Sequence, residues 1–200
     1  MRHHIARASA PGFAMCFLSW PAAAHMPVST GAFEGGLTHP LLSLEHALAF
    51  AAVGFWAGQL GRRAHLRVPV AFLFAIWLGL VLNLRLVALP FVDIVNFISL
   101  IVFGGLVAAH ARPNWLWACA IASVFGIFHG FANASAMPLQ WEAGSFAAGT
   151  AVAGTAVMAL CSFATAKLDK FPLTIVFRVA GSWVAATGLL MLAFTYTQSQ

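Results

Sequence analysis

Charged side chains are scarce in this chain of 200 residues. Only 8% of the residues are Asp, Glu, Lys or Arg, whereas 62% are hydrophobic. A soluble domain carries about 25% charged residues, so this chain has too little polar surface to keep a folded monomer in water. The scarcity of charge excludes an ordinary soluble protein and predicts an integral membrane protein.

Paired cysteines and nucleotide-binding motifs are also missing. The three cysteines, Cys16, Cys119 and Cys161, have no paired spacing, which argues against a disulfide framework or a C-x-x-C metal site. No G-x-x-x-x-G-K-[ST] motif is present, so direct ATP drive by this chain is not expected. Because the sequence also shows no nucleophile–base pair, we expect neither enzymatic activity nor a tightly bound cofactor.

Long apolar segments are the main feature of the sequence. There are six of them, each near the roughly 20 residues that a membrane-spanning helix needs. They lie at about 41–60, 68–89, 91–109, 114–132, 144–165 and 173–195. This pattern predicts an all-α bundle of six transmembrane helices, formed as a single domain by residues 25–200.

The N-terminus has the pattern of a secretory signal peptide. Arg2 and Arg7 give it a basic start, residues 13–20 are apolar, and residues 21–24 supply small residues for cleavage. The apolar stretch is too short to cross a bilayer core of about 30 Å. We therefore predict a signal peptide at 1–24, with an uncleaved N-terminal helix as the alternative.

The distribution of charge predicts the orientation, because basic residues concentrate on the cytoplasmic side of membrane proteins. The basic residues of the first, third and fifth loops and their helix ends are Arg62, Arg63, Arg67, Arg112, Lys167, Lys170 and Arg178. The acids of the opposite side are Glu34, Glu45, Asp93 and Glu142. Arg85 falls on that acidic side, where it could pair with Asp93 or Glu45.

This topology places the mature N- and C-termini in the periplasm and the protein in the bacterial inner membrane. The formal net charge of +5 then reflects topology, and a nucleic-acid partner is not expected. The expected partner is the lipid bilayer.

A carboxylate and an imidazole, Glu45 and His46, stand side by side within the first apolar segment. Placing an ionisable group at membrane depth is unfavourable by roughly 2.5–3.5 kcal/mol on insertion scales, and such groups often line ion paths. His39, Ser43 and His46 follow i, i+4, i+7 spacing, which predicts that they share one helix face. The pattern favours a site in the outer half of the bundle.

Two further ionisable residues are predicted at the same depth. Asp93 opens the third apolar segment on the outer side, and His129 lies near the outer end of the fourth. Plainer interpretations stay open: Glu45 and His46 could fix helix packing, Asp93 could cap its helix, and His129 with Gly130 could mark a close helix crossing.

Several local motifs resemble those of the HupE/UreJ family. They are His39-Pro40, Leu44-Glu45-His46-Ala47, the run 53–61, Phe128-His129-Gly130, Met137-Pro138 and Ala147-Ala148-Gly149. The resemblance covers nearly the whole chain. It implies six spans after a signal peptide and a secondary permease for nickel, or in some members cobalt, associated with hydrogenase and urease maturation.

The resemblance implies metal ligands at His39, Glu45, His46 and His129. Asp93, which the topology places at the same depth, and Asn133, whose side chain could add a carbonyl oxygen, complete the predicted set of ligands. The family usually has Asp where this chain has Glu45. Its further histidines fall on Phe131, Asn133 and Met158, and its Glu falls on Ala136, so part of the pattern is replaced.

Two functions follow as hypotheses. The first is secondary transport of nickel or cobalt across the inner membrane. The second is a diverged, non-transporting membrane subunit that serves as a scaffold or partner of another membrane complex. The sequence leaves open whether the chain forms a homo-oligomer.

Overall fold

The computed structural model describes residues 31–61, 64–84, 88–168, 170 and 172–198. Within these residues the chain forms seven α-helices. They are α1 (Ala32–Leu42), α2 (Leu44–Leu60), α3 (Ala64–Leu84), α4 (Val92–Ala108), α5 (Trp115–Ser135), α6 (Ala143–Leu168) and α7 (Leu173–Gln198). The predicted signal peptide, together with Arg62, Arg63 and Arg85, lies outside the described residues.

The first predicted span is broken at Ser43. Helices α1 and α2 meet there at an angle of 77°, and Ser43 adopts an extended conformation with φ −84° and ψ 112°. Pro40 lies one turn earlier and cannot donate to the carbonyl of Gly36. Thr150 of α6 donates to that carbonyl instead, at 3.1 Å. A tertiary hydrogen bond thus satisfies the group that the proline leaves unpaired.

The break corrects one prediction. His39 belongs to α1 and His46 to α2, so the two histidines and Ser43 do not lie on one helix face. The predicted common helix face is wrong because the helix is broken at Ser43. The three side chains nevertheless line the same cleft, since the bend folds α1 back over the start of α2.

The described helices have the length and composition of a multi-pass membrane protein. Four of them, α3, α5, α6 and α7, are long and apolar enough to cross a membrane. The bent pair of α1 and α2 passes the same test when taken together, and α4 is apolar but has 17 residues. The helical fold agrees with the sequence, and the count of six spans stays a prediction.

Glycines allow helix pairs to approach backbone to backbone. Helix α3 packs chiefly on α5, α4 on α7, and both α1 and α2 on α6. A Cβ atom on Gly130 of α5 would overlap the carbonyl of Ile76 on α3, and one on Gly149 of α6 would overlap the carbonyl of Phe33 on α1. Small residues permit such crossings in membranes. The structure therefore places Gly130 at a close helix crossing.

Charge divides the bundle into an acidic end and a basic end. The acidic end holds α1, the starts of α4 and α6 and the end of α5, and its carboxylates are Glu34, Glu45, Asp93 and Glu142. The basic end holds the opposite helix termini, with Arg67, Arg112, Lys167, Lys170 and Arg178. Arg178 donates to the Ala108 carbonyl at the end of α4, at 2.7 Å.

Glu142 stabilises the first turn of α6 at the acidic end. Its carboxylate accepts the backbone N–H of Gly144 at 2.8 Å and that of Ser145 at 2.6 Å. Hydrogen bonds from the side chain and backbone of Ser145, and from the backbone of Gly144, lower the pKa of Glu142 below its ordinary value. The carboxylate is therefore ionised at neutral pH and adds negative charge to this end.

The close crossing of α3 and α5 can be tested at Gly130. We expect Gly130→Ala to destabilise the protein by about 1–3 kcal/mol, because the added methyl group must push the two backbones apart. Reversible unfolding in mixed micelles measures this change. Gly105→Ala is the matched control, since a Cβ atom there meets nothing within 4 Å. The two variants should differ clearly, and equal stabilities would contradict the crossing.

Candidate metal site

A cleft of about 490 Å³ opens at the acidic end of the bundle. It is bordered by the junction of α1 and α2, the first turn of α4 and the last turns of α5. Its lining residues are His39, Ser43, Glu45, His46, Val92, Asp93, Phe131, Ala132, Ser135 and Ala136. Four of the six predicted site residues thus face one cavity.

The buried end of this site is a pair of histidines. His46 lies in the first turn of α2 and is 2% exposed, while His129 on α5 is 1% exposed. Their Nδ1 atoms are 2.9 Å apart, although the residues are 83 positions apart in sequence. The structure therefore brings the two predicted histidines into direct contact.

The second ring nitrogen of His129 contacts a residue that the motifs do not include. Ser99 of α4 places its Oγ 2.8 Å from His129 Nε2 and donates its own proton to the carbonyl of Asn96, at 2.6 Å. Both α4 residues are buried. Ser99 does not stand out in the sequence, because serines are common in apolar helices. Asn96 is the sequence feature that could have pointed to this part of α4, since it is a polar residue one turn after Asp93 within an apolar segment.

His39 and the two carboxylates lie around the pair at longer distances. The ring centroids of His39 and His46 are 5.6 Å apart, and Glu45 Oε1 is 3.9 Å from His46 Nε2. Asp93 lies in the first turn of α4, where the helix dipole favours a carboxylate. Among the residues that the structure describes, no three His, Cys, Asp or Glu side chains come close enough to hold a metal ion as they stand.

Asn133 does not border the cleft. Its amide Nδ2 donates to the His129 carbonyl one turn earlier, at 2.8 Å. Its side chain borders a separate cavity of about 290 Å³, whose lining comes from α3, α5 and α6. The predicted ligand Asn133 therefore contacts the backbone of His129 and borders a cavity other than the cleft.

The other positions at which the resemblance implies a lost ligand fall in two places. Phe131 and Ala136 line the cleft and give its wall two apolar side chains. Met158 is fully buried and lies where α6 crosses α2 at Gly54. The contact between His46 and His129 is present with these three residues in place.

Aromatic rings close the interior next to the histidine pair. The rings of Phe72 and His129 have centroids 5.8 Å apart, and Phe72 in turn contacts Phe50 and Phe103 at 6.0 and 5.9 Å. Trp56 continues this stack at 6.2 Å from Phe103 and donates its Nε1 proton to the Ala111 carbonyl near the basic end. We call these four side chains, Phe50, Trp56, Phe72 and Phe103, the aromatic barrier.

The cleft favours cations electrostatically. Its lining includes the carboxylates of Glu45 and Asp93, and no Lys or Arg is among the described residues that line it. Glu45 is about one-third exposed, with 32% of its side chain accessible, so its charge acts on ions at the mouth. The arrangement can attract a cation to the mouth and offer it imidazole nitrogen further in.

The long apolar helices describe a multi-pass membrane protein, and the histidine pair beside an acidic cleft is a polar site within its helix bundle. The family described as "HupE / UreJ protein" matches residues 13–191. The chain belongs to this family. Protein HupE of Rhizobium leguminosarum bv. viciae is 33% identical over 173 residues, covering 84% of this chain and 88% of that protein. No solved structure matches the chain.

The contact between the histidines can be measured by a double-mutant cycle of His46→Ala and His129→Ala. We expect a coupling energy of about 0.6–1.7 kcal/mol, the range found for polar contacts between membrane helices. Reversible unfolding of the four proteins in mixed micelles gives this energy. His65→Ala with His129→Ala is the control pair, because His65 contacts Ser162 instead. Additive effects of His46 and His129 would show that they do not interact.

Proposed function

We propose that the chain transports a divalent transition-metal ion, nickel or cobalt, across the bacterial inner membrane as a secondary transporter. The observation that carries the proposal is the 2.9 Å contact between the Nδ1 atoms of His46 and His129 next to a cation-attracting cleft. Membership of the HupE/UreJ family supports this class of substrate. The metal ion is the cargo in this proposal, and the chain is not an enzyme and holds no tight cofactor.

The orientation proposed for transport places the acidic end in the periplasm. The positive charges of the basic end then face the cytoplasm, as membrane proteins prefer. Six spans result if the bent pair of α1 and α2 counts as one and α4 as another. With this orientation the cleft receives ions from the periplasm, and both mature termini are periplasmic.

The spacing of the two histidines suits one shared ion. Two imidazole nitrogens at about 2.1 Å from one ion, at a right angle to each other, lie about 3.0 Å apart. The Nδ1 atoms of His46 and His129 are 2.9 Å apart. The pair can therefore supply two adjacent ligands once both rings turn so that their Nδ1 lone pairs point at the ion and not at each other. Glu45, His39 and water in the cleft are the nearest sources of the remaining ligands.

The chemistry of these ligands favours nickel or cobalt over the more abundant divalent ions. Imidazole suits later transition metals, whereas magnesium and calcium prefer oxygen ligands. Glu45 and Asp93 attract any divalent cation to the cleft, but two adjacent imidazoles then select among them. Excess magnesium is therefore expected to compete poorly.

The aromatic barrier defines the movement that transport requires. All four of its side chains are fully buried, so the path from His129 toward the basic end is closed in this conformation. An ion held by the histidines can reach the cytoplasm only if these rings separate. We therefore assign the structure to a state that is open toward the cleft and closed inward.

Two cleft positions that differ from the family pattern support the alternative function, a non-transporting scaffold. Phe131 and Ala136 place apolar side chains in the cleft wall where the family pattern provides a histidine and a glutamate. A chain with fewer ligands could serve as a non-transporting scaffold for a membrane partner. The His46–His129 contact favours transport because it lies beside a cleft lined by carboxylates, which helix packing alone does not require.

Metal uptake in a strain that lacks its own nickel transporters tests the proposal. We expect the wild-type chain to restore nickel or cobalt uptake, and His46→Ala or His129→Ala to reduce it by at least about tenfold, since each removes a ligand. His65→Ala is the control, because it removes a histidine from the basic end. Protein levels in the membrane are measured for every variant.

A different result would favour the scaffold. Metal uptake that does not change when the whole chain is deleted from its own host would contradict transport. Co-purification of a stable membrane partner in the same host would then support the alternative function.

A further inference from the structure

The hydroxyl group of Ser99 can donate its proton to only one of its two neighbours. Ser99 Oγ is 2.6 Å from the carbonyl oxygen of Asn96 and 2.8 Å from His129 Nε2. A carbonyl oxygen can only accept a hydrogen bond, so the single hydroxyl proton must lie on the line to Asn96. Two oxygen atoms 2.6 Å apart without a proton between them would repel each other.

The position of that proton determines which nitrogen of His129 is protonated. Because the Ser99 proton points to Asn96, a lone pair of Oγ faces His129 Nε2. Nε2 must therefore carry a proton and donate it. A neutral imidazole has one N–H, so Nδ1 of His129 is left with its lone pair directed at His46.

We propose that Ser99 is a positioning residue that holds His129 in the Nε2-protonated tautomer, so that Nδ1 is presented as the metal ligand. This inference rests on the proposed transport of nickel or cobalt. Histidines that bind metals commonly donate their other ring N–H to a nearby acceptor, and losing that acceptor lowers metal affinity. Ser99 supplies this acceptor on α4, outside every motif that carries the family resemblance.

The tautomer of His46 before an ion binds follows from that of His129. Since His129 Nδ1 accepts, His46 Nδ1 must donate across the 2.9 Å contact, and His46 Nε2 keeps its lone pair near Glu45. An ion that binds both Nδ1 atoms takes the place of that shared proton. The proton then moves to His46 Nε2, 3.9 Å from Glu45 Oε1, or to water in the cleft.

Solid-state NMR of the full chain in lipid vesicles tests the tautomer directly. The protein carries ¹⁵N-labelled histidine and is measured without metal, and His129→Gln and His46→Gln assign the signals. We expect a protonated Nε2 and a bare Nδ1 on His129, with the reverse on His46. In Ser99→Ala, His129 should show a mixture of both tautomers. Nδ1 protonation of His129 in the wild type, or an unchanged tautomer in Ser99→Ala, would overturn the proposal.

Cobalt binding gives a second readout on the same vesicles. We expect Ser99→Ala to weaken cobalt binding by about 10–100-fold. Ser182→Ala is the matched control, because Ser182 on α7 makes the same hydroxyl bond to the carbonyl three residues earlier, and His46 and His129 lie on other helices. Unchanged cobalt affinity in Ser99→Ala would contradict the role of Ser99. A wild-type chain that neither binds nor transports cobalt or nickel would refute the proposed function, and the NMR result would still decide the tautomer.

Discussion

The contact between His46 and His129 is the interaction around which the acidic half of the bundle is arranged. Both rings are fully buried, and a polar group in such surroundings needs a hydrogen-bond partner because water is excluded. Three helices meet this requirement together: α2 and α5 carry the histidines, and α4 supplies Ser99. Glycine at the α3–α5 crossing keeps α5 in place, since Gly130 directly follows His129 in the chain.

The paired histidines also explain why the interior divides into two chemically different halves. Toward the acidic end the pair faces carboxylates and an open cleft, whereas on its other side it contacts Phe72 and the rest of the aromatic barrier. The carboxylates on the first side favour a cation, and the buried aromatic rings on the second side disfavour one. The same two side chains therefore separate an acidic cleft from a closed apolar interior.

Much of the site could be predicted from the sequence because ionisable residues in apolar segments are conspicuous. Glu45, His46 and His129 are conspicuous in this way, and the predicted topology places them at similar depth. Pro40 is a local signal for a kink, whereas the hydrogen bond from Thr150 that satisfies the Gly36 carbonyl is a contact between residues more than 100 positions apart, which the sequence does not show. Ser99 looks like any helix serine until its contact with His129 is known, and the cavity that Asn133 borders depends on the packing of three helices.

The dependence of α1 on α6 has a consequence for how the protein is made. Helix α1 ends at Leu42, and its packing partner α6 begins at Ala143, about 100 residues later. At ordinary rates of translation, α6 leaves the ribosome about 5–20 s after α1. During that interval the Gly36 carbonyl lacks Thr150, and α1 is too short to cross the bilayer alone. The junction of α1 and α2, which borders the cleft, therefore reaches its final packing only late in membrane insertion.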